Sequence, residues 1–170
     1  MPLPMRLRQL SVRELRELAR ADAREFMQKF GPATYPLDVT ALARQAGAEV
    51  FIADLGEDVY GMIEGNASGA TIYVDRESAL TRRRFTIAHE IGHMVSYKDE
   101  AGVPQYVDVR DEDGRGNAEE IYANEFAGEL LMPEVKLKEL ISEGADNFDI
   151  ANLLNVSVAA VSYRRRVLGV

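Results

Sequence analysis

The sequence predicts an α+β fold: a small three-stranded antiparallel sheet packed by helices, with further helices at both ends. Three observations carry this. Capping signals and apolar periodicity mark the first thirty residues and the second half of the chain as helical. Three short β-rich runs sit between residues 49 and 75, with Gly, Asn and Asp clusters between them. A chain of 170 residues with no internal repeat holds one domain and a real core.

Each element has a local reason. Ser11 and Glu14 form a capping box, and Leu10 with Leu15 is positioned as the hydrophobic staple around it. The helix started there is expected to run over 11–30 and to stop at Gly31 and Pro32. Asp38 caps a second helix that reaches Ala46 and closes at Gly47. Glu49–Ala53, Val59–Ile63 and Ala70–Asp75 then read as an antiparallel meander. Residues 78–97 turn helical. The stretch Asp99–Asn117, rich in glycine and acids, reads as a long loop. Asn117 caps a helix over Ala118–Met132, and Pro133 suits the first turn of the next. Two short helices, Asp149–Leu154 and Val158–Leu168, complete the chain. The expected division is 1–135 as the main domain and 136–170 as a C-terminal helical region resembling a helix-turn-helix.

Composition excludes several classes. There is no cysteine, so disulfides and thiolate metal ligands are out. No apolar run is long enough to span a bilayer, and the opening residues lack a secretory signal, which makes the cytoplasm the expected location. A net charge of −8 argues against a surface given over to nucleic acid. The charge is uneven, however. Acids crowd 99–120, while Arg6, Arg8, Arg13, Arg16, Arg20, Arg24 and Lys29 make the start basic. The asymmetry hints at a basic partner for the acidic segment, or simply at a solvated loop.

The chemistry lies in His89-Glu90-Ile91-Gly92-His93. On a helix, residues four apart stand one above the other, so both imidazoles can reach one zinc ion at about 2.0–2.1 Å. Glu90 lies about 100° round the helix, where it reaches a water without entering the coordination shell. These are the only two histidines in the chain. A third ligand must therefore be Asp or Glu, and Glu120 is chosen because Glu120, Ala123, Asn124 and Ala127 share one helix face. Small residues there, and Gly92 opposite, allow the two helices to approach. Asn124 is placed to hydrogen-bond the far ring nitrogen of a ligating histidine. Glu119, Glu125 and Glu129 are expected on an exposed face.

Arg-Phe-Thr-Ile-Ala-His89-Glu90-Ile-Gly-His93, followed by Glu120-Ile-Tyr-Ala123-Asn124-Glu-Phe126-Ala127-Gly-Glu-Leu130-Leu131-Met132-Pro133, resembles the ImmA/IrrE family of bacterial and phage metallopeptidases. The resemblance extends upstream to Pro36–Ala43 with Gly47, and downstream to Val156-Ser157 and Leu168-Gly169. It covers roughly residues 33–170. It implies a zincin-type domain with His89, His93 and Glu120 as zinc ligands and Glu90 as catalytic base. It further implies cleavage of a helix-turn-helix repressor that derepresses prophage, mobile-element or stress genes. The chain departs from the pattern at position 97, where many relatives are expected to carry histidine and this one has Tyr97.

An oxyanion donor is also expected. Tyr97, Tyr106 and Tyr122 are the candidates, with Tyr97 placed first. The competing readings are a DNA-binding regulator that uses Arg164, Arg165 and Arg166 on phosphates, and a toxin–antitoxin or phage-regulatory component that holds a partner without cutting it.

Overall fold

A computed structural model describes residues 3–31, 34–66, 69–100, 106–109 and 117–170, with Asn66 and 106–109 given by their backbone. Most of the expected acidic loop, and the Tyr106 side chain, lie outside the described residues. After a 3-10 turn at Met5–Leu7, helix α1 spans Val12–Phe30 and α2 spans Val39–Gln45. Strands β1 (Ala48–Ala53), β2 (Val59–Asn66) and β3 (Gly69–Asp75) follow, then α3 (Leu80–Ser96), β4 (Tyr106–Val109), α4 (Ala118–Leu131), α5 (Glu134–Ser142), α6 (Asn147–Leu154) and α7 (Val158–Leu168).

The caps act where the residues placed them. The Ser11 hydroxyl accepts from Glu14 N, while the Glu14 carboxylate accepts from Ser11 N at 2.8 Å. Asp38, Asn117 and Ser157 accept from backbone N–H groups at the starts of α2, α4 and α7. Asn155, in the left-handed region, ends α6. Along α1, Leu15, Ala19, Ala23 and Phe26 recur at helical spacing and are buried against α4, with Phe26 edge-on to Phe126.

The sheet corrects two expectations. Among the described residues it has four strands in the order β1-β3-β2-β4, and it is mixed rather than antiparallel, because β1 runs parallel to β3. The reason is written in β3. Ala70, Thr71, Ile72, Val74 and Asp75 are all buried, so this strand lies inside the sheet with a neighbour on each edge. A meander would have put β2 in the centre. The segment 54–58 instead carries the chain past the end of β3, a gap of about 10 Å that five residues span easily. β4 arises within the stretch read as loop and pairs antiparallel with β2.

α3 lies under β2 and β3, where Ile87, Ala88 and Ile91 join Ile63, Ile72 and Val74 in one core. α4 is held between α1 and α3. The C-terminal helices are tied to both of those that carry the motifs. Arg84 of α3 donates to the carbonyls of Leu37, Leu154 and Asn155. From α7, Arg164 pairs with Glu125 and Glu129 of α4 and donates to Met132 O.

This overturns one further expectation and bears on the competing DNA-binding reading. Glu119, Glu125 and Glu129 are buried rather than on an exposed face. Glu125 and Glu129 are reached by Arg164 on one side and by Arg20 and Arg24 of α1 on the other, which supplies the partners a buried carboxylate requires. Arg164 itself is 3% exposed and so withdrawn from any phosphate. Much of the basic N-terminal charge thus meets acids of its own chain.

Candidate metal centre

Two helices build the site. α3 presents His89 and His93 one turn apart, and α4 presents Glu120 opposite them. Their approach depends on small residues. A Cβ added at Gly92 would stand 3.0 Å from Ala123 Cα and 3.3 Å from Phe126 Cβ, atoms fixed by the facing helix. Gly92→Val is therefore expected to force α3 and α4 apart, at a cost of about 1–3 kcal/mol and with weakened metal binding. Thermal unfolding and metal content measured together check this; wild-type values for both would remove the close-approach argument.

The donor atoms converge. His93 Nε2 lies 3.3 Å from Glu120 Oε1, His89 Nε2 lies 3.6 Å from Glu120 Oε2, and the two Nε2 atoms are 2.9 Å apart. Ligand bonds of about 2.0–2.1 Å in tetrahedral geometry separate donors by roughly 3.3 Å. Two imidazoles and a carboxylate at these spacings fit a divalent ion and leave room for a fourth ligand. Both histidines are buried, while the Glu120 side chain keeps 12% exposure, so the site opens on that side.

Asn124, one turn beyond Glu120, accepts from His89 Nδ1 at 3.1 Å. With the proton on Nδ1, His89 Nε2 keeps its lone pair for an ion. Glu90 is fully buried. Its Oε1 would lie 3.1 Å from a Cβ added at Gly61 of β2, and that Cβ would also meet the Thr86 methyl. Gly61 thus makes the space in which the Glu90 carboxylate sits. Sequence reading missed this glycine, although an isolated glycine inside a strand pattern is the usual sign of close backbone approach.

The tyrosines divide. Tyr97 donates to Glu119 Oε1 at 2.6 Å, linking the end of α3 to the first turn of α4. Burial first, then its bond to Glu119, raises the Tyr97 pKa, so it remains a donor. Glu119 is itself raised, chiefly by burial and further by the neighbouring Glu120 charge. Tyr122 donates to Asp22 of α1 at 2.6 Å. Asp22 also accepts from Arg6 and Lys98, so one buried carboxylate braces the backs of both site helices. These links were not legible, because each joins residues far apart in the chain.

Two cavities, of about 450 and 390 Å³, are lined by residues other than His89, Glu90, His93 and Glu120. The first touches the last turn of α3 at Met94, Val95 and Tyr97; the second lies between α2, β1 and the start of α3.

Residues 43–166 match the family model described as the IrrE N-terminal-like domain. No curated protein matches the sequence. A solved chain described as a Mycobacterium tuberculosis transcriptional regulator superposes with a TM-score of 0.58 at 19% identity, covering 90% of this chain and 50% of that one. The likeness is one of fold, and this chain spans about half that neighbour's length. Among the described residues, no helix is long and apolar enough to cross a membrane.

Proposed function

Because this chain belongs to the IrrE N-terminal-like family, the ImmA/IrrE metallopeptidases, we propose that it is a cytoplasmic zinc-dependent endopeptidase whose substrate is a helix-turn-helix repressor. The observation that carries the reading is the convergence of His89, His93 and Glu120, with Glu90 next to His89 in the sequence. Zinc is the ion favoured by two imidazoles and one carboxylate with a fourth position open. When bound, it supplies Lewis-acid activation of the attacking water and the scissile carbonyl.

The chain's own residues do the rest. Glu90 accepts the proton of the attacking water and passes it to the leaving amine; burial beside Gly61 keeps its carboxylate in place between the two transfers. Asn124 fixes the His89 ring and its tautomer. Tyr97, the first candidate for oxyanion stabilisation, has its hydroxyl on Glu119; that role requires it to exchange partners when substrate binds. As it stands, Tyr97 holds the turn of α4 from which Glu120 projects.

Glu120→Ala is expected to weaken zinc by at least about 100-fold, since replacing an outer partner alone costs 10–100-fold. Zinc titration of the purified variant checks it, and unchanged affinity would move the third ligand elsewhere. The function itself is tested by incubating the chain with the repressor encoded beside its gene, with and without zinc. A discrete zinc-dependent cut supports the peptidase. Stable binding without a cut would favour a component that only holds its partner. A role in transcription draws support from the neighbour's description as a transcriptional regulator. Direct DNA binding draws less. Of the three arginines, Arg164 is buried, Arg165 donates to Asn147 and Val170 O, and Arg166 lies over the Tyr163 ring.

A further inference from the structure

The geometry points to the outer edge of β1 as a self-association surface, on which two copies of this chain pair their β1 strands antiparallel about a two-fold axis with Phe51 opposite Phe51. β1 ends the sheet on one side, and among the described residues no strand pairs with its other edge. It is six residues long and apolar but for Glu49, with Phe51 at 49% and Ile52 at 52% exposure. An open apolar edge of this kind is a template for another strand. β4, the opposite end of the sheet, has four residues.

The ladder to β3 decides which backbone groups are available. The carbonyls of Gly47 and Ala53 accept from Ala70 N and Arg76 N. In a parallel ladder alternate residues bond the neighbour, so Gly47, Glu49, Phe51 and Ala53 are committed to β3. Ala48, Val50 and Ile52 turn their N–H and C=O groups outward. Two such edges can pair only with outward residues opposite outward residues. That leaves two central registers, one with Val50 opposite Val50 and one with Phe51 opposite Phe51. Both keep the core-facing side of each copy on the same face of the joined sheet.

The side chains choose between them. With Phe51 opposite Phe51, Val50 lies opposite Ile52 of the second copy, Glu49 opposite Ala53, and Ala48 opposite Asp54. Between the two strands no like charges stand opposite each other, and exposed Phe51 and Ile52 each find an apolar partner. The two Phe51 rings, each stacked on its own Tyr73, fall in the pairing type that brings side chains closest. On the core-facing side, each Val50–Ile52 pair lies at the mouth of the cavity that Val74, Leu80 and Ile87 line together with Arg44, Arg83 and Arg84; Leu80 there is 61% exposed. The alternative register sets Glu49 against Phe51 and Ile52 against the already buried Ala48. The zinc site is not obstructed, because β1 is separated by β3 from β2, where Gly61 meets Glu90.

A five-residue pairing is small for an interface, so the dimer is expected to form in the micromolar range. Sedimentation velocity of the wild-type chain from about 5 to about 500 μM should show monomer passing to dimer, and Ile52→Lys should raise the dissociation constant roughly ten-fold or more. The absence of cysteine allows a second readout. Phe51→Cys, placed across a close pair, should give a covalent dimer on mild oxidation, whereas Glu49→Cys, whose two copies lie about 13 Å apart in this register, should not. A wild-type chain that stays monomeric throughout overturns the proposal and leaves the edge to a different protein. So does a dimer indifferent to Ile52→Lys, or cross-linking at 49 in preference to 51. None of these readouts depends on peptidase activity, so this proposal and the peptidase assignment fail separately.

Discussion

Glu90→Gln is expected to lower peptide cleavage by about 10²–10⁴-fold while leaving bound zinc unchanged. The substitution is nearly isosteric, so the space beside Gly61 still accommodates the side chain. It removes only the capacity to take and return a proton. Glu90 is not among the three residues whose donor atoms converge, so its loss leaves the ion-binding set intact. Metal content by atomic emission and the cleavage rate, measured on one preparation, separate the two effects. A variant that cuts at the wild-type rate would rule Glu90 out as the base. Loss of zinc would instead show that it helps to hold the ion.

The second large effect concerns stability. Arg164→Ala is expected to cost roughly 3–5 kcal/mol, the range for removing one partner of a buried ion pair. Glu125 would keep Arg16 and Arg20, and Glu129 would keep Arg24 and the Glu134 N–H, with Arg24 half exposed. That residual pairing places the expectation at the lower end of the range. Replacing all three together, Arg164→Met with Glu125→Gln and Glu129→Gln, should recover part of the loss, because the two buried carboxylate charges go with their partner, while Arg20 and Arg24, 20% and 50% exposed, can still reach solvent. Urea unfolding checks both. If the single variant loses under 1 kcal/mol, the α7–α4 contact is not what holds the C-terminal helices in place.

The clustering of His89, His93 and Glu120 was more legible than the sheet, for a physical reason. His89, Glu90 and His93 declare themselves through helical spacing, and Glu120 with Asn124 through the same rule one helix later. All of this is encoded within a few residues. Helix starts at Ser11, Asp38, Asn117 and Ser157 are local in the same sense. Strand order is not local. The turn residues between the β runs signal that strands exist, but neighbours are chosen by which strand is buried on both faces. The nearly unbroken apolar run from Ala70 to Val74 was the available sign. Glu125 and Glu129 read as solvent-facing because carboxylates usually are. Their partners stand on α1 and α7, and only the folded chain brings those to α4. Tyr97 and Glu119 were hidden in the same way.

The parallel pairing of β1 with β3 also bears on the order in which the molecule assembles. Asn66 pairs with Gly69, three positions on in the sequence, whereas Ala48 must find Ala70 across the whole of β2. Loop-closure entropy favours the hairpin as an early event, with β1 docking afterwards. Mutations in Ile63 or Ile72 should then slow folding, while Val50→Ala should chiefly speed unfolding, a contrast that stopped-flow φ-values would record or refute. Until β1 arrives, β3 shows its apolar edge to the solution. A nascent chain would therefore pass through an interval in which the central strand, rather than the final edge, is the point most open to mispairing.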